Sequence, residues 1–197
     1  MHKERTAAGP ARDAVEDVCA GFHAPGSALP ASLEPIEPQR LPAVYQTLLV
    51  HQRHMTSTLS AHVGAPVRLS VLRHFSAADV YAREIVLTAP SGRVVEYGIA
   101  RIRLACVPSP AREEILARDK PLGDILIEHD VLRTISPRWF LRARSVEPLS
   151  RVISQDVCDA FGRIGAIELS GAPAVELLEV VINASEQPAN ESARMSE

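Results

Sequence analysis

The spacing of apolar and polar residues changes along the chain, and it indicates where helices give way to strands. Residues 41–64 carry apolar side chains three or four positions apart, which predicts one helix or two short ones. The side chains in question are those of Val44, Leu48, Leu49, Met55, Leu59 and Val63. Gly64 follows them, and a glycine in that place is typical of a helix C-terminus.

Segments beyond residue 66 favour strands, because apolar residues there alternate with polar ones or form brief apolar runs. The predicted strands are 66–75, 82–88, 94–107, 150–157, 164–171 and 172–183. An Ala-Pro-Ser-Gly turn joins the second to the third and predicts an antiparallel hairpin. Further helices are predicted at 109–119 and within 121–135. Because the helices do not alternate with the strands, we expect an α+β fold with a six-stranded antiparallel sheet and helices packed on one face.

The two ends of the chain lack a sustained period. Residues 1–40 are rich in alanine, proline and glycine, and the prolines argue against a long helix. We expect this segment to be a tail or a strap that lies over the surface. Residues 184–197 are polar, and we expect them to form a disordered C-terminal tail. The sequence therefore predicts one folded unit over residues 41–183.

Composition and charge exclude several classes of partner. The 197 residues include 21 basic and 24 acidic side chains, a net charge of −3, and only 4% are aromatic, so no nucleic-acid partner is expected. No apolar run reaches the length of a membrane span, and no secretory signal is visible, so we expect no membrane span. Three widely spaced cysteines without a Cys-x-x-Cys motif indicate reduced thiols in a cytoplasmic protein.

An arginine interrupts the otherwise apolar strand predicted at 82–88. Arg83 shares a face with Ile85 and Leu87, so we expect its side chain to point inward or into a cleft. Arginine is rarely buried without a partner, and two readings follow. Either a ligand supplies the anion, or Arg83 forms a structural ion pair with Glu84 or Glu96.

Other charged or special residues also interrupt apolar segments. Arg101 lies in the returning strand of the hairpin. Glu179 lies in a run of apolar residues, where a buried carboxyl group needs a partner or keeps its proton; exposure on an edge strand is the alternative. Leu122 and Gly123 belong to a Pro-Leu-Gly turn whose backbone could approach an anion, although an ordinary helix start explains it equally well.

Motifs for metals and cofactors are missing from the sequence. His51 and His54 lie close together, but no third ligand follows at a metal-binding spacing. The chain contains no glycine-rich nucleotide loop and no Gly-x-Ser-x-Gly nucleophile motif. We therefore expect neither a metal nor a cofactor.

Six short motifs, in this order, resemble the chorismate pyruvate-lyase family. They are HMTSTLSAHVG, YAREIVLT, GIARIRL, KPLGDIL, LRTI and SGAPAVELLEVVIN, and the similarity extends over roughly residues 41–183. The family converts chorismate to 4-hydroxybenzoate and pyruvate without a metal or organic cofactor. Its fold is a six-stranded antiparallel sheet with helices that close over an enclosed site. The resemblance implies the same fold and a carbon–oxygen lyase activity for this chain.

The resemblance also implies roles for matching residues. Arg83 would pair with the ring carboxylate, Arg101 with the enolpyruvyl carboxylate, and Glu179 would bind the ring hydroxyl or assist proton loss. These three would be the catalytic residues. The substrate would also contact Met55, Thr56, Leu122 and Gly123. Two alternatives remain open: a free-standing module of the same fold that binds an aromatic acid, and a related lyase that forms another hydroxybenzoate isomer.

Overall fold

A computed structural model describes residues 4–185, with side chains from residue 9 onwards. The predicted disordered tail at 184–197 lies outside the described residues except for its first two positions.

Seven α-helices and seven strands follow one another along the described residues. In chain order they are α1 Glu4–Cys19, α2 Ala28–Ser32, β1 Leu33–Ile36, α3 Ala43–Leu49, α4 Met55–Val63, β2 Arg68–Ala77, β3 Val80–Thr88, β4 Val94–Arg103, α5 Ser109–Ala117, α6 Leu122–Glu128, β5 Arg133–Ala143, α7 Glu147–Ile153, β6 Ala160–Leu169 and β7 Ala172–Ile182. Single 3₁₀ turns occur at Pro38–Arg40 and Leu104–Cys106. The helix predicted over 41–64 is thus two short helices, and Gly64 ends the second in the left-handed conformation.

The strands form one antiparallel sheet in the order β1-β5-β6-β7-β4-β3-β2. The predicted α+β class and antiparallel sheet are confirmed, but the sheet has seven strands rather than six. This architecture is consistent with the fold that the sequence resemblance implies. Among residues 4–185, no helix is long and apolar enough to cross a membrane.

Helices cover both faces of the sheet, whereas the sequence predicts them on one face only. On one face, here called the α1 face, Val15 and Val18 of α1 pack in a cluster with Tyr97, Ile99 and Leu178 of the sheet. Helices α3 to α6 pack on the opposite face, here called the α4 face. The central strands β3, β4 and β7 are therefore buried from both sides, which explains their nearly continuous apolar sequences.

The N-terminal segment differs from the expected tail or strap. Val15, Val18 and Cys19 of α1 are almost fully buried, and β1 pairs with β5 at one edge of the sheet. Pro35 is tolerated within β1 because an edge strand can lack one N–H donor. The described part of this segment belongs to the folded unit, which therefore begins before residue 41.

The predicted strand at 150–157 is wrong, since its first half belongs to helix α7 and its second half to the loop that follows. Leu149, Val152 and Ile153 recur at helical spacing, and Pro148 lies in the first turn, where a proline suits a helix. The pattern of this short segment is compatible with a strand and with a helix, and packing of Leu149 into the core favours the helix.

Strand β5 lies in a segment for which the sequence predicts no strand. Pro137 argues against a strand, but the register with β6 shifts between Pro137 and Trp139, as it does at a bulge. The neighbouring strand β1 pairs only with residues 140–143, so Pro137 has no partner on that side and needs no N–H donor there.

Candidate functional site

A cavity lies between the α4 face of the sheet and helices α4 and α6. It contains about 530 Å³ of atom-free space, its open mouth included. Its walls are mostly apolar, and its polar side chains are few. The lining residues are His54, Met55, Thr56, Leu69, Arg83, Ile85, Leu87, Glu96, Gly98, Ile99, Ala100, Pro121, Leu122, Gly123, Ile167, Leu177, Leu178 and Glu179.

The small residues of strand β4 create the space. Arg83 on β3 pairs with Ala100, and Glu179 on β7 pairs with Gly98, so these two charged residues flank β4 from opposite sides. Two strand spacings across the sheet and two residues along it separate their backbones by about 12 Å. A Cβ atom on Gly98 would lie 3.4 Å from the Ile85 side chain and 3.2 Å from a carbonyl oxygen, so a larger residue would crowd the floor of the cavity.

Arg83 is buried, and two of its nitrogens have no partner in the described part of the chain. Its side chain lies on the α4 face, as the alternation in 82–88 predicts, and the residue is only 2% exposed. Nε and Nη1 make no hydrogen bond with the residues that the structure describes. Burial lowers the pKa of the guanidinium, an effect that the neighbouring Tyr81 partly offsets. The arrangement places a cation with two available donors in an apolar cavity.

The ion pair that sequence analysis offers as an alternative for Arg83 is not formed. Glu84 points to the α1 face, where it accepts hydrogen bonds from Arg73, Tyr97 and His23. Glu96 does lie on the α4 face, but its Oε2 atom has no hydrogen-bond partner among residues 4–185. The charge of Arg83 is therefore not balanced by either carboxyl group.

Glu179 forms an ion pair that sequence analysis did not anticipate. Arg163 of β6, only 1% exposed, donates from Nε to Glu179 Oε2 across 2.6 Å. The same guanidinium donates to the carbonyl oxygens of Leu49 and His51 at 3.0 and 2.9 Å, which fixes the loop after α3 to the sheet. The two opposite charges cancel, so the pair adds no net charge to the cavity.

Burial disfavours the charged form of the Glu96 carboxyl group. The residue is 3% exposed, and burial raises its pKa well above the usual value, with a further rise from the nearby charge of Glu179 that Arg163 partly opposes. When protonated, such a carboxyl group can donate a hydrogen bond as well as accept one.

Arg101 is the one predicted site residue that lies elsewhere. It follows Ala100 on β4, so strand alternation directs it to the α1 face, where Nη1 donates to the carbonyl oxygen of Ala20 at 2.8 Å. The expected pairing of Arg101 with a second carboxylate is therefore incompatible with its position. The other six predicted residues lie together at the cavity: Met55, Thr56, Arg83, Leu122, Gly123 and Glu179.

Three polar residues of the site were missed by sequence analysis. Glu96 lies two residues before Gly98 on β4, so strand alternation places its side chain on the cavity face. Arg163 interrupts the apolar sequence of β6, much as Arg83 interrupts that of β3. His54 lies at the N-terminus of α4, and no local pattern marks it. Among residues 4–185, no three histidine, cysteine or carboxylate side chains are placed to hold a metal ion.

Comparison with protein-family models finds no match, and comparison with curated protein sequences finds none either. Similar solved structures include the C-terminal domain of the histidine utilization repressor from Pseudomonas syringae pv. tomato str. DC3000, with a TM-score of 0.44 and 7% identity over 60% of this chain and 92% of that one. PhnF from Mycobacterium smegmatis has a TM-score of 0.46 and 12% identity, over 68% and 65%. The possible transcriptional regulator YydK from Bacillus subtilis subsp. subtilis str. 168 has a TM-score of 0.43 and 8% identity, over 62% and 59%.

The position of Arg101 corrects the expected activity. The resemblance assigns Arg101 to the second carboxylate of the substrate, but the residue lies on the opposite face of the sheet from the cavity, where it donates to the carbonyl oxygen of Ala20. The expectation of a carbon–oxygen lyase is therefore wrong. Identities of 7 to 12% relate the chains by their general fold alone.

Proposed function

We propose that this chain is a binding module for a small monocarboxylic acid, and that Arg83 supplies the counter-charge. The observation that carries this proposal is the buried guanidinium whose Nε and Nη1 atoms lack a partner among residues 4–185. A carboxylate is the natural complement, since its oxygens accept charge-assisted hydrogen bonds from guanidinium N–H groups.

The charges of the cavity favour a ligand with one negative charge. The charges of Arg163 and Glu179 cancel, burial disfavours ionisation of Glu96, and Arg83 adds one positive charge. A dicarboxylate such as chorismate would bring a second negative charge without a cation to balance it. Because an uncompensated buried charge costs several kcal/mol, the cavity disfavours dianions.

The apolar walls of the cavity favour an acid with an apolar body, such as a ring. Leu69, Ile85, Leu87 and Leu177 offer apolar contacts, and the polar groups are confined to a few positions. A hydroxybenzoate satisfies these conditions: its carboxylate would meet Arg83, its ring the apolar walls, and its hydroxyl group the carboxyl groups on the far side of β4. The proposed ligand belongs to the chemical class that the sequence resemblance implies, as a bound acid rather than as a reaction product.

Three ring compounds with matched shapes test the proposal by calorimetric titration. We expect 4-hydroxybenzoate to bind, and the neutral 4-hydroxybenzamide to bind at least about 30-fold more weakly, since loss of a buried charge pair costs about 2 kcal/mol or more. Terephthalate, which replaces the hydroxyl group with a second carboxylate, should also bind weakly. Equal affinities for the acid and the amide would overturn the proposal.

Two arginine variants localise the binding. Arg83→Met should abolish measurable binding of 4-hydroxybenzoate. Arg103→Gln is the matched control, because Arg103 is exposed at the end of β4 and outside the cavity, and it should bind as the wild type does. Incubation with chorismate should release no pyruvate; release that depends on Arg83 would contradict the assignment of a binding module.

A further inference from the structure

The ring of His54 is held by an arginine that determines which nitrogen carries the proton. Arg133 donates from Nε to His54 Nε2 across 2.7 Å. A guanidinium group has no acceptor, so Nε2 must be the acceptor and carries no proton. In a neutral ring the proton then resides on Nδ1.

Arg133 is itself fixed in place. Its Nη1 atom donates to the carbonyl oxygens of Val131 at 2.8 Å and Leu126 at 3.3 Å, both near the end of α6. The guanidinium therefore cannot turn away without losing these bonds, and the orientation of the His54 ring is tied to α6. This arrangement matches the way a second residue commonly fixes the tautomer of a functional histidine.

Helix α6 also approaches the other side of the ring. A Cβ atom on Gly123 would lie 2.8 Å from Cγ and 2.9 Å from Nδ1 of His54, so only glycine permits this approach. His54 lines the same cavity as Arg83. Among residues 4–185, Nδ1 of His54 has no hydrogen-bond partner, whereas Nε2 has one.

The charged groups around the ring favour its neutral form. Burial and the neighbouring Arg133 lower the pKa of His54 to about 4; Glu179 opposes this change and Arg163 adds to it. At neutral pH the ring thus adds a directional donor to the cavity without adding a charge.

We propose that His54 determines ligand specificity: its Nδ1–H group, held in that tautomer by Arg133, donates a hydrogen bond to an oxygen of the acid bound at Arg83. This inference rests on the proposed function, to which it adds a residue that neither the sequence pattern nor the resemblance indicates. Arg133 is a positioning residue, because it acts on the ligand only through the ring.

The tautomer is tested without any ligand by two-bond ¹⁵N–¹H correlation spectra of the histidine rings at pH 7. We expect His54 to show a protonated Nδ1 and an unprotonated Nε2, and Arg133→Met to give a mixture of the two tautomers. A wild-type ring protonated at Nε2 would overturn the inference, even if acids bind as proposed.

Two substitutions of His54 test the donor in binding. The amide nitrogen of Asn can occupy the place of Nδ1, so His54→Asn should keep most of the affinity for 4-hydroxybenzoate. His54→Leu should lose about 5- to 30-fold, the effect of removing one buried hydrogen bond. Equal affinity of His54→Leu and wild type would overturn the inference.

Failure of the two proposals can be told apart. If wild-type protein binds no acid, the proposed function fails, and the binding role of His54 fails with it, while the tautomer spectra still report on Arg133. If the wild type binds the acid through Arg83 but His54→Leu and Arg133→Met bind equally well, only the present inference fails. Should His54→Leu not fold, the comparison of His54→Asn with Arg133→Met keeps the test intact, because only the second is expected to weaken binding.

Discussion

The unpartnered guanidinium of Arg83 makes an unusual prediction: removing it should stabilise the ligand-free protein. Burial of a polar group without a partner costs about 1–3 kcal/mol, and replacing buried charged groups with apolar ones of similar volume is often stabilising by about 1–4 kcal/mol. Methionine has a similar length and no charge, and its surroundings include Ile85 and Leu87. We therefore expect Arg83→Met to raise the free energy of unfolding by about 1–3 kcal/mol.

The assay is urea-induced and thermal unfolding at neutral pH without ligand. For a chain of this size, each kcal/mol corresponds to about 2–4 °C in Tm. The same variant should bind no acid, so stability and binding change in opposite directions. This combination identifies Arg83 as a residue retained for binding rather than for the fold.

A second buried arginine provides the control. Arg163→Met removes the partner of Glu179 and the donor to two loop carbonyls, so it should destabilise the protein by about 3–5 kcal/mol. Two arginines of almost equal burial are thus expected to give opposite signs. If Arg83→Met destabilises the protein by more than about 1 kcal/mol, Arg83 has a structural partner and the reasoning is refuted.

Three further predictions concern the carboxyl groups and the cavity floor. Because the pKa of Glu96 is higher in the folded than in the unfolded state, ionisation of this group opposes folding, and stability should fall as pH rises above about 4.5. The total loss should be about 1.4 kcal/mol for each pH unit by which the folded-state pKa exceeds the unfolded-state pKa. Glu96→Gln should flatten this decline in unfolding measured from pH 5 to 8. Burial alone would raise the pKa of Glu84, but hydrogen bonds from His23, Arg73 and Tyr97 lower it to about 2, so its contribution should be present above pH 4.5 and lost as pH falls towards 2. Glu84→Gln should remove that acid dependence and cost about 2–3 kcal/mol at pH 7; an unchanged acid profile would contradict this. Gly98→Val should fill the floor of the cavity and weaken acid binding, which calorimetry can check; undiminished binding would place the ligand elsewhere.

Strand alternation explains which parts of the site could be predicted. It places Arg83 on one face of β3 with Ile85 and Leu87, where the structure has it. The side of Arg101 was not predictable in this way, because it depends on the register shift between Leu87 and Thr88: from the Thr88–Val94 pair, an unshifted hairpin would place Arg101 on the face of Arg83, whereas the shift pairs Arg83 with Ala100 and directs Arg101 to the opposite face. Partners that come from distant segments were not predictable: Arg163 meets Glu179 only because β6 and β7 pair in a particular register.

The fold shows the same division between local and distant information. Helix α1 has apolar residues at helical spacing, at positions 11, 15, 18 and 19. This stripe is present in the sequence, but the prolines that follow it argue against a helix in the segment as a whole. By contrast, β1 has four residues, one of them a proline, and forms a strand only because its backbone pairs with the edge of β5. Pairing of that kind depends on tertiary structure and leaves no mark in the local sequence.

The most direct test of the account is the NMR resonance of the Arg83 Nε–H group during titration with 4-hydroxybenzoate. A carboxylate bound to the guanidinium should shift this resonance downfield and saturate with the same affinity that calorimetry reports, while 4-hydroxybenzamide should leave it in place. Saturation of the protein with the acid while the Arg83 resonance stays unchanged would contradict the assignment of this arginine as the anion-binding residue.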